Sequence, residues 1–224
     1  MAFPPAAGGT TRREQILQVA ATLFARHGFH GVSIAELGAA VGVSGPALYR
    51  HFPGKEALLA EMLVGISEYL LDGGRARART DDPGQALTEL VEFHVDFALQ
   101  HPQLITVQDR DLANLPVQVR HQVRGLQRAY LQIWVDTLLE VIPELSPEAA
   151  RIAIHGAFGL LNSTPHSAPG SDPDQVAALL RRMAMAALSD PDLASSHPPS
   201  LRGVSGGVPG GSVNRGHIDG ALSS

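Results

Sequence analysis

VSIAELGAAVGVSGPALYRHFPGKE, residues 32–56, carries two helix starts, one helix stop and the turn between them. Ser33 suits an N-cap, and Glu36 three residues on completes a capping box. Val32 and Leu37 occupy the two positions of a hydrophobic staple, which sets the direction of the incoming chain. Ile34, Leu37 and Val41 recur at helical spacing, so a short helix buries that stripe. Gly42 follows the last periodic residue, where a left-handed cap suits glycine. Val43 plugs the turn. Ser44 is a second N-cap, and Pro46 falls in the first turn, where its missing N–H breaks no helical bond. Leu48 and Phe52 give the second helix its inner face. Two helices of about two turns each around a glycine-containing turn form the unit that reads DNA.

With Leu48 and Phe52 inward, Gly45, Pro46, Tyr49 and Arg50 face outward. Tyr49 offers a ring for thymine methyls and a hydroxyl for a base edge or phosphate, and Arg50 suits a phosphate or a guanine edge. Gly45 and Pro46 allow close approach of a helix start whose free N–H groups favour phosphate. Ser44 caps that start, and His51 can donate to a phosphate. Lys55, the single lysine of the chain, opens the following helix, where a cation opposes the helix dipole unless an anion lies nearby. The competing reading is a plain α-hairpin in some other bundle, and Arg50 or His51 taken alone reads as a solvated surface residue. Capping, turn and apolar period agree across levels, which favours the DNA reader.

The stretch GFHGVSIAELGAAVGVSGPALYRHFPGKEALL resembles the N-terminal domain of the TetR family of bacterial transcriptional regulators. The likeness runs from about Arg12 to Leu59 and combines the Gly28–Gly31 turn, IAELGAAVGVS, ALYRHF and Lys55 in order. It implies an all-α homodimer, a palindromic operator and a pocket for a small-molecule inducer. Residue by residue, it implies DNA contacts at Ser33, Tyr49, His51 and Lys55. Gly45 departs from the polar side chain that many relatives carry there, which thins the base-reading surface.

The chain has 224 residues, 44% of them hydrophobic, enough for a substantial core. No apolar run approaches the length of a membrane span. The start MAFPPAAGGTT has neither the basic nor the continuous apolar segment of a secretory signal. Cysteine is absent, which removes disulfides, thiol nucleophiles and cysteine-based zinc sites. These features fit a cytoplasmic protein. The net charge of −5 argues against non-specific coating of nucleic acid. Residues 1–64 carry +1 and the remainder −6, so the weak positive bias lies at the proposed DNA end.

In chain order, residues 1–9 form a Pro/Ala/Gly arm expected to be disordered. Thr11 and Glu14 box the first helix, whose stripe is Ile16, Val19, Ala20, Leu23, Phe24 and His27. Arg12 and Arg13 either touch DNA or fray into solvent. From Lys55 a long helix runs to about Arg79, with Gly73 and Gly74 expected to break it late. In the TetR family this helix joins the DNA head to the ligand body. Asp82-Pro83, Ser146-Pro147 and Asp172-Pro173 pair an N-cap with proline at N1, and His101-Pro102 and Leu115-Pro116 are further starts. Helices are therefore expected near 83–100, 102–112, 116–141, 147–163 and 173–189. The expected organisation is all-α: a three-helix reading head over residues 10–55, a ligand-binding and dimerisation body over 56–190, and a Gly/Pro/Ser-rich disordered tail over 191–224.

Tyr69, Phe93, Phe97, Leu104, Ile105, Tyr130, Trp134, Phe158 and Asn162 are candidates for lining a largely apolar pocket, and each also reads as ordinary core. His94 and Arg128 are the polar candidates. Arg110, Arg120, Arg124 and Arg128 suggest a basic rim for an anionic ligand, an acyl-CoA or a carboxylate, or else a solvated helix face. Ile152, Gly156, Ala157, Gly159, Leu160 and Leu161, with Val176, Leu179, Leu180, Met183, Ala184 and Ala187, suggest a four-helix dimer contact or an intramolecular bundle. The segment 164–171, TPHSAPGS, reads as a polar loop.

Three classes compete: a ligand-responsive regulator, a repressor on an inverted-repeat operator; an enzyme; and a helical interaction module. No HExxH, Gly-x-Ser-x-Gly or phosphate loop is present, no cofactor or metal is expected, and His94 and Asp96, two apart on a helix, do not face each other. The regulator is the preferred reading.

Overall fold

The computed structural model describes residues 11–167 and 170–194. Ten α-helices follow in order: α1 Arg12–His27, α2 Ile34–Val41, α3 Gly45–Tyr49, α4 Lys55–Arg77, α5 Pro83–Gln100, α6 Pro102–Asp111, α7 Val117–Val141, α8 Pro147–Leu161, α9 Thr164–Ser167 and α10 Pro173–Leu188. Short 3-10 turns sit at Leu112–Asn114 and Pro191–Ala194. No strand occurs among the described residues, and the fold is all-α. The arm at 1–9 and residues 195–224 of the expected tail lie outside the described residues.

The caps form where the local chemistry demands them. Thr11 and Glu14 bond reciprocally, as do Ser33 and Glu36. Gly42, at φ 77° and ψ 36°, ends α2 in the left-handed region that glycine enters without a Cβ penalty. Asp82, Ser146 and Asp172 each accept a backbone N–H, with proline in the first turn. Asp82 accepts from the Gly84 and Gln85 backbone N–H groups, and the Gln85 side-chain amide donates to Glu89 at 2.8 Å.

Three expectations need correction. The second reading helix is five residues long, because Phe52 precedes Pro53, which disfavours helical backbone at that position. Leu48 and Phe52 still point inward at 0% and 1% exposure, joined by the bond from Phe52 N–H to the Leu48 carbonyl. Second, α4 does not break at Gly73-Gly74. A Cβ at Gly73 would fall 2.1 Å from the Phe93 ring, and one at Gly74 2.6 Å from the Tyr130 ring. These glycines let two aromatic rings of α5 and α7 lie against the α4 backbone. Third, the segment after Ser163 is not all loop: Thr164 begins α9 and donates from its hydroxyl to the Ala98 carbonyl at 3.0 Å.

One continuous apolar core runs from Ile16 to Leu188. In it α4 packs along α7, while α5 lies against α7 and α10. The far end of the body meets the head where α6 packs on α1. Arg110 donates to the carbonyls of Phe24 and Ala25 at the end of α1, and to the Asp111 carboxylate. Asp111, 3% exposed, also faces the Phe29 N–H at 3.5 Å. His30 Nε2 and Asn114 Oδ1 lie 2.8 Å apart beside this clamp.

Candidate functional site

The outer surface of the head is built by burial of its inner one. Leu37, Leu48 and Phe52 are at most 1% exposed, which turns Tyr49 outward at 54% exposure. Ser33, Ser44, Pro46 and Arg50 are exposed around it, and Gly45 and His51 are half-buried. Ser33 and Ser44 spend their hydroxyls as caps, accepting from Glu36 N–H and Ala47 N–H. The hydrogen bonds from Ser33 to Glu36 hold the Glu36 carboxyl below its usual range.

Lys55 sits differently from its reading as a pure DNA contact. Its Nζ donates to the Phe29 and Val32 carbonyls at 3.0 and 3.2 Å and lies 4.6 Å over the Phe29 ring. The ammonium therefore ties the α1–α2 turn to the start of α4, which offsets its unfavourable place at a helix N-terminus. Arg12 and Arg13 are likewise engaged within the protein. Arg12 reaches the Val41 carbonyl at 2.7 Å. Arg13 pairs with Glu61, donates to the His51 carbonyl and lies 4.1 Å over Phe52. Glu61 raises the pKa of the Arg13 guanidinium.

In the body a chamber of about 420 Å³ opens between α4, α5, α6, α7 and α8. His94, Tyr130, Phe158 and Asn162 line it. His94 is 3% exposed, and burial pushes its pKa down to about 4, so the ring is neutral at neutral pH. Its Nδ1 lies 3.2 Å from the Tyr130 hydroxyl and its Nε2 3.0 Å from Asn162 Oδ1. Asn162 Oδ1 accepts only, so Nε2 carries the proton and Nδ1 accepts from Tyr130. Burial pushes the Tyr130 hydroxyl above its usual range, outweighing the pull of the Trp134 indole beside it. It therefore stays a donor. Phe158 stacks on the His94 ring at 5.0 Å. The result is an uncharged polar relay set in aromatic walls.

The other sequence candidates fall elsewhere. Trp134, Phe97 and Ile105 are 0%, 3% and 5% exposed and pack the core behind the chamber. Tyr69 packs on Phe93 and lines a separate groove with it and Arg77. Arg128 is exposed and lines a neighbouring groove. Of the proposed basic rim, Arg110 is committed to α1, and Arg120 donates to the Ala113 carbonyl at 3.1 Å.

The chamber also has walls that sequence reasoning missed. Gln108, Asp109 and Leu112 come from α6 and the turn after it, Ser67 and Leu70 from α4, and Gln127, Leu131 and His155 from α7 and α8. Gln108 Oε1 is shielded from solvent and meets no protein donor among the described residues. Burial raises the Asp109 carboxyl above the usual range, more than His166 lowers it. No periodic signal marks these residues, because they sit at the edges of faces whose centres are apolar. Among the described residues no group of three or more His, Asp or Glu is placed to hold a metal ion, and no helix is long and apolar enough to cross a membrane.

The family model for bacterial regulatory proteins of the tetR family matches residues 16–62, and that for the tetracyclin repressor-like C-terminal domain matches residues 80–188. Over 140 residues the chain is 29% identical to the transcriptional repressor KstR2 of Mycolicibacterium smegmatis, covering 60% of this chain and 66%, just under two thirds, of that protein. A TetR-family transcriptional regulator from Bordetella parapertussis superimposes with a TM-score of 0.72 at 27% identity, over 81% of this chain and 96% of that one. FadR from Bacillus subtilis, solved in complex with stearoyl-CoA, shares the fold with a TM-score of 0.62 at 18% identity, over 78% of this chain and 97% of its own. The two matched segments take in the helix-turn-helix and nearly all of the described body, and the chain belongs to the TetR family of bacterial transcriptional regulators.

Proposed function

We propose that this protein is a repressor that binds an inverted-repeat operator as a homodimer and is released when a small, largely apolar inducer enters the chamber around His94. The observation that carries the reading is Tyr49: a large aromatic side chain left 54% exposed at the end of α3, while its neighbours Leu48 and Phe52 are fully buried. Such exposure on the reading surface suits a base edge or a thymine methyl. Residues 10–55 form the head and 56–190 the body in this reading. Gly45, Pro46 and Arg50 flank Tyr49 at the groove, with Ser33, Ser44 and His51 toward the phosphates. Lys55 uses two donors internally, and its third is the one left for a phosphate.

The dimer surface is narrower than the apolar stripes suggest. Ala157, Leu161, Leu180 and Ala184 are buried within the subunit, whereas Ile152, Leu179 and Met183 are 66%, 49% and 45% exposed. Gly156 and Gly159 lie beside Ile152 on α8 with open space where a Cβ would stand, so a partner helix can approach closely. Two copies meeting on α8 and α10 would present two α3 helices to successive major grooves.

The route from chamber to head is the short helix α6. Gln108 and Asp109 face the chamber, and the next two residues, Arg110 and Asp111, clamp the end of α1 and the α1–α2 turn. A ligand that binds one placement of α6 more tightly shifts the head with it. The test is a mobility shift on DNA upstream of the gene and on genomic fragments selected for binding. Retardation that weakens steeply with salt supports the reading. Absence of any selected fragment would favour a helical interaction module instead.

A further inference from the structure

The hydrogen-bonding inventory of the chamber is one-sided. Ser67, 2% exposed, spends its hydroxyl proton on the Leu63 carbonyl at 2.7 Å, so its Oγ can only accept from a guest. Tyr130 spends its proton on His94, and its oxygen is likewise left as an acceptor. From α6 comes Gln108, whose Oε1 is shielded from solvent and meets no donor among the described residues. Beside it in sequence is Asp109, solvent-exposed, whose carboxylate makes no ion pair among the described residues. The groups that can donate to a guest on the other walls, Gln127, His155 and the Asn162 amide, come from α7, from α8 and from its end. Among the described residues no lysine or arginine lines the chamber, and Asp109 is the one carboxylate on its wall. A shielded acceptor without a donor costs free energy until a donor reaches it. An anionic guest at the α6 wall would bring lone pairs to lone pairs and a like charge to Asp109. An ammonium brings three donors and the opposite charge.

We propose that the chamber selects a lipophilic amine, its ammonium held by Gln108 Oε1 and the Asp109 carboxylate on α6 and its apolar body lying against Leu70, Leu131 and Phe158. A carboxylate of the same body is the guest this wall rejects. Burial raises the Asp109 carboxyl, and a cation beside it reverses that shift. Arg124, Arg128 and Arg151 line the neighbouring groove beyond Gln127 and His155, so they repel an ammonium from the α7–α8 side and leave one orientation. Both acceptors ride on α6 directly before Arg110 and Asp111, so the donor end of the guest is also the end that bears on the head. The proposal rests on the chamber being the inducer site.

The test uses the full chain and the fluorescence of Trp134, the single tryptophan, which packs edge-on to His94 and Phe158. Octylamine, 1-octanol and octanoate, alike except at the polar end, are titrated at neutral pH. Octylamine is expected to bind about tenfold or more tighter than octanoate, with octanol between them. Asp109→Asn should remove the advantage of the amine over the alcohol and strengthen octanoate. Gln108→Leu should weaken amine and alcohol and spare octanoate. The melting temperature of the free Gln108→Leu protein should not fall, since the oxygen it removes has no donor to lose. Octanoate binding as tightly as octylamine, or octylamine binding unchanged in both variants, overturns the proposal. Operator retardation is measured on the same samples, and octylamine is expected to release the DNA at lower concentration than octanoate. Octanoate binding best overturns the donor preference and leaves the chamber as the inducer site, whereas no change of fluorescence with any of the three removes the chamber as well. Loss of retarded DNA in the wild type without any guest removes the regulator reading itself.

Discussion

Asp111→Ala removes the carboxylate that joins the body to the head. It takes away two acceptors from Arg110, at 3.1 and 3.0 Å, and the oxygen facing the Phe29 N–H. The carboxylate is 4% exposed and the guanidinium 42%. A shielded bond to a charged group contributes about 1.5–3 kcal/mol, and an exposed ion pair about 0–1 kcal/mol. This pair has one foot in each regime, so a loss of about 2 kcal/mol is expected. The loss should be local, because Arg110 still reaches the Phe24 and Ala25 carbonyls and the core beneath is untouched. Hydrogen exchange followed by mass spectrometry is the decisive assay. Peptides over residues 24–31 should exchange about 30-fold faster, the equivalent of about 2 kcal/mol in local opening, while those in α4 and α7 keep their protection. Asp111→Asn, which keeps one acceptor, should fall between. Unchanged exchange at 24–31, or a uniform rise across the molecule, would refute the clamp as the link between α6 and the head.

Tyr49→Ala should weaken operator binding by about 1–3 kcal/mol, with a stability change within about 0.5 kcal/mol, because the ring is exposed in the free protein; anisotropy and thermal melts read the two separately. Lys55→Ala should lower the melting temperature as well as DNA affinity, since about 1–2 kcal/mol of hydrogen bonding to Phe29 and Val32 is lost. A salt slope shallower by about one would show that its third donor also meets a phosphate. His94 has a folded pKa of about 4, below its ordinary 6.5, so the unfolded chain takes up the proton first. The stability it permits is full above pH 6.5 and is lost as pH falls toward 4, by about 3 kcal/mol in all. His94→Gln should flatten that window in urea titrations, and an unchanged profile would place the pH dependence elsewhere. If two copies meet on α8 and α10 as proposed, Ile152→Arg should give monomer by light scattering where the wild type gives dimer, with the fold retained, because Ile152 is 66% exposed in the subunit.

How much of this was legible beforehand depended on the range of the interaction. The capping boxes at Thr11 and Ser33, the glycine stop at Gly42 and the proline-marked starts at Asp82, Ser146 and Asp172 each involve residues within four positions of one another. Their hydrogen bonds are nearly the same in any fold, so the helices and the helix-turn-helix could be read directly. Gly73-Gly74 was misread because the same two residues weaken an isolated helix and admit aromatic rings in a packed one. Only the rings of Phe93 and Tyr130, 20 and 56 residues away, decide between those outcomes.

The chamber shows the same division. The sequence by itself marked His94, Tyr130, Phe158 and Asn162 as polar or aromatic groups among helical stripes, and determined an all-α chain with a DNA-reading head. It did not separate them from Trp134, Phe97 and Ile105, which have similar chemistry and lie in the core. Nor did it show that Lys55 turns inward, that Arg110 grips a helix end 85 residues upstream, or that Arg151 joins Arg124 and Arg128 around one groove. Helical periodicity states which residues share a face, whereas the tertiary structure alone decides what that face meets. Burial, which sets both the neutrality of His94 and the exposure of Tyr49, exists only after the faces have met.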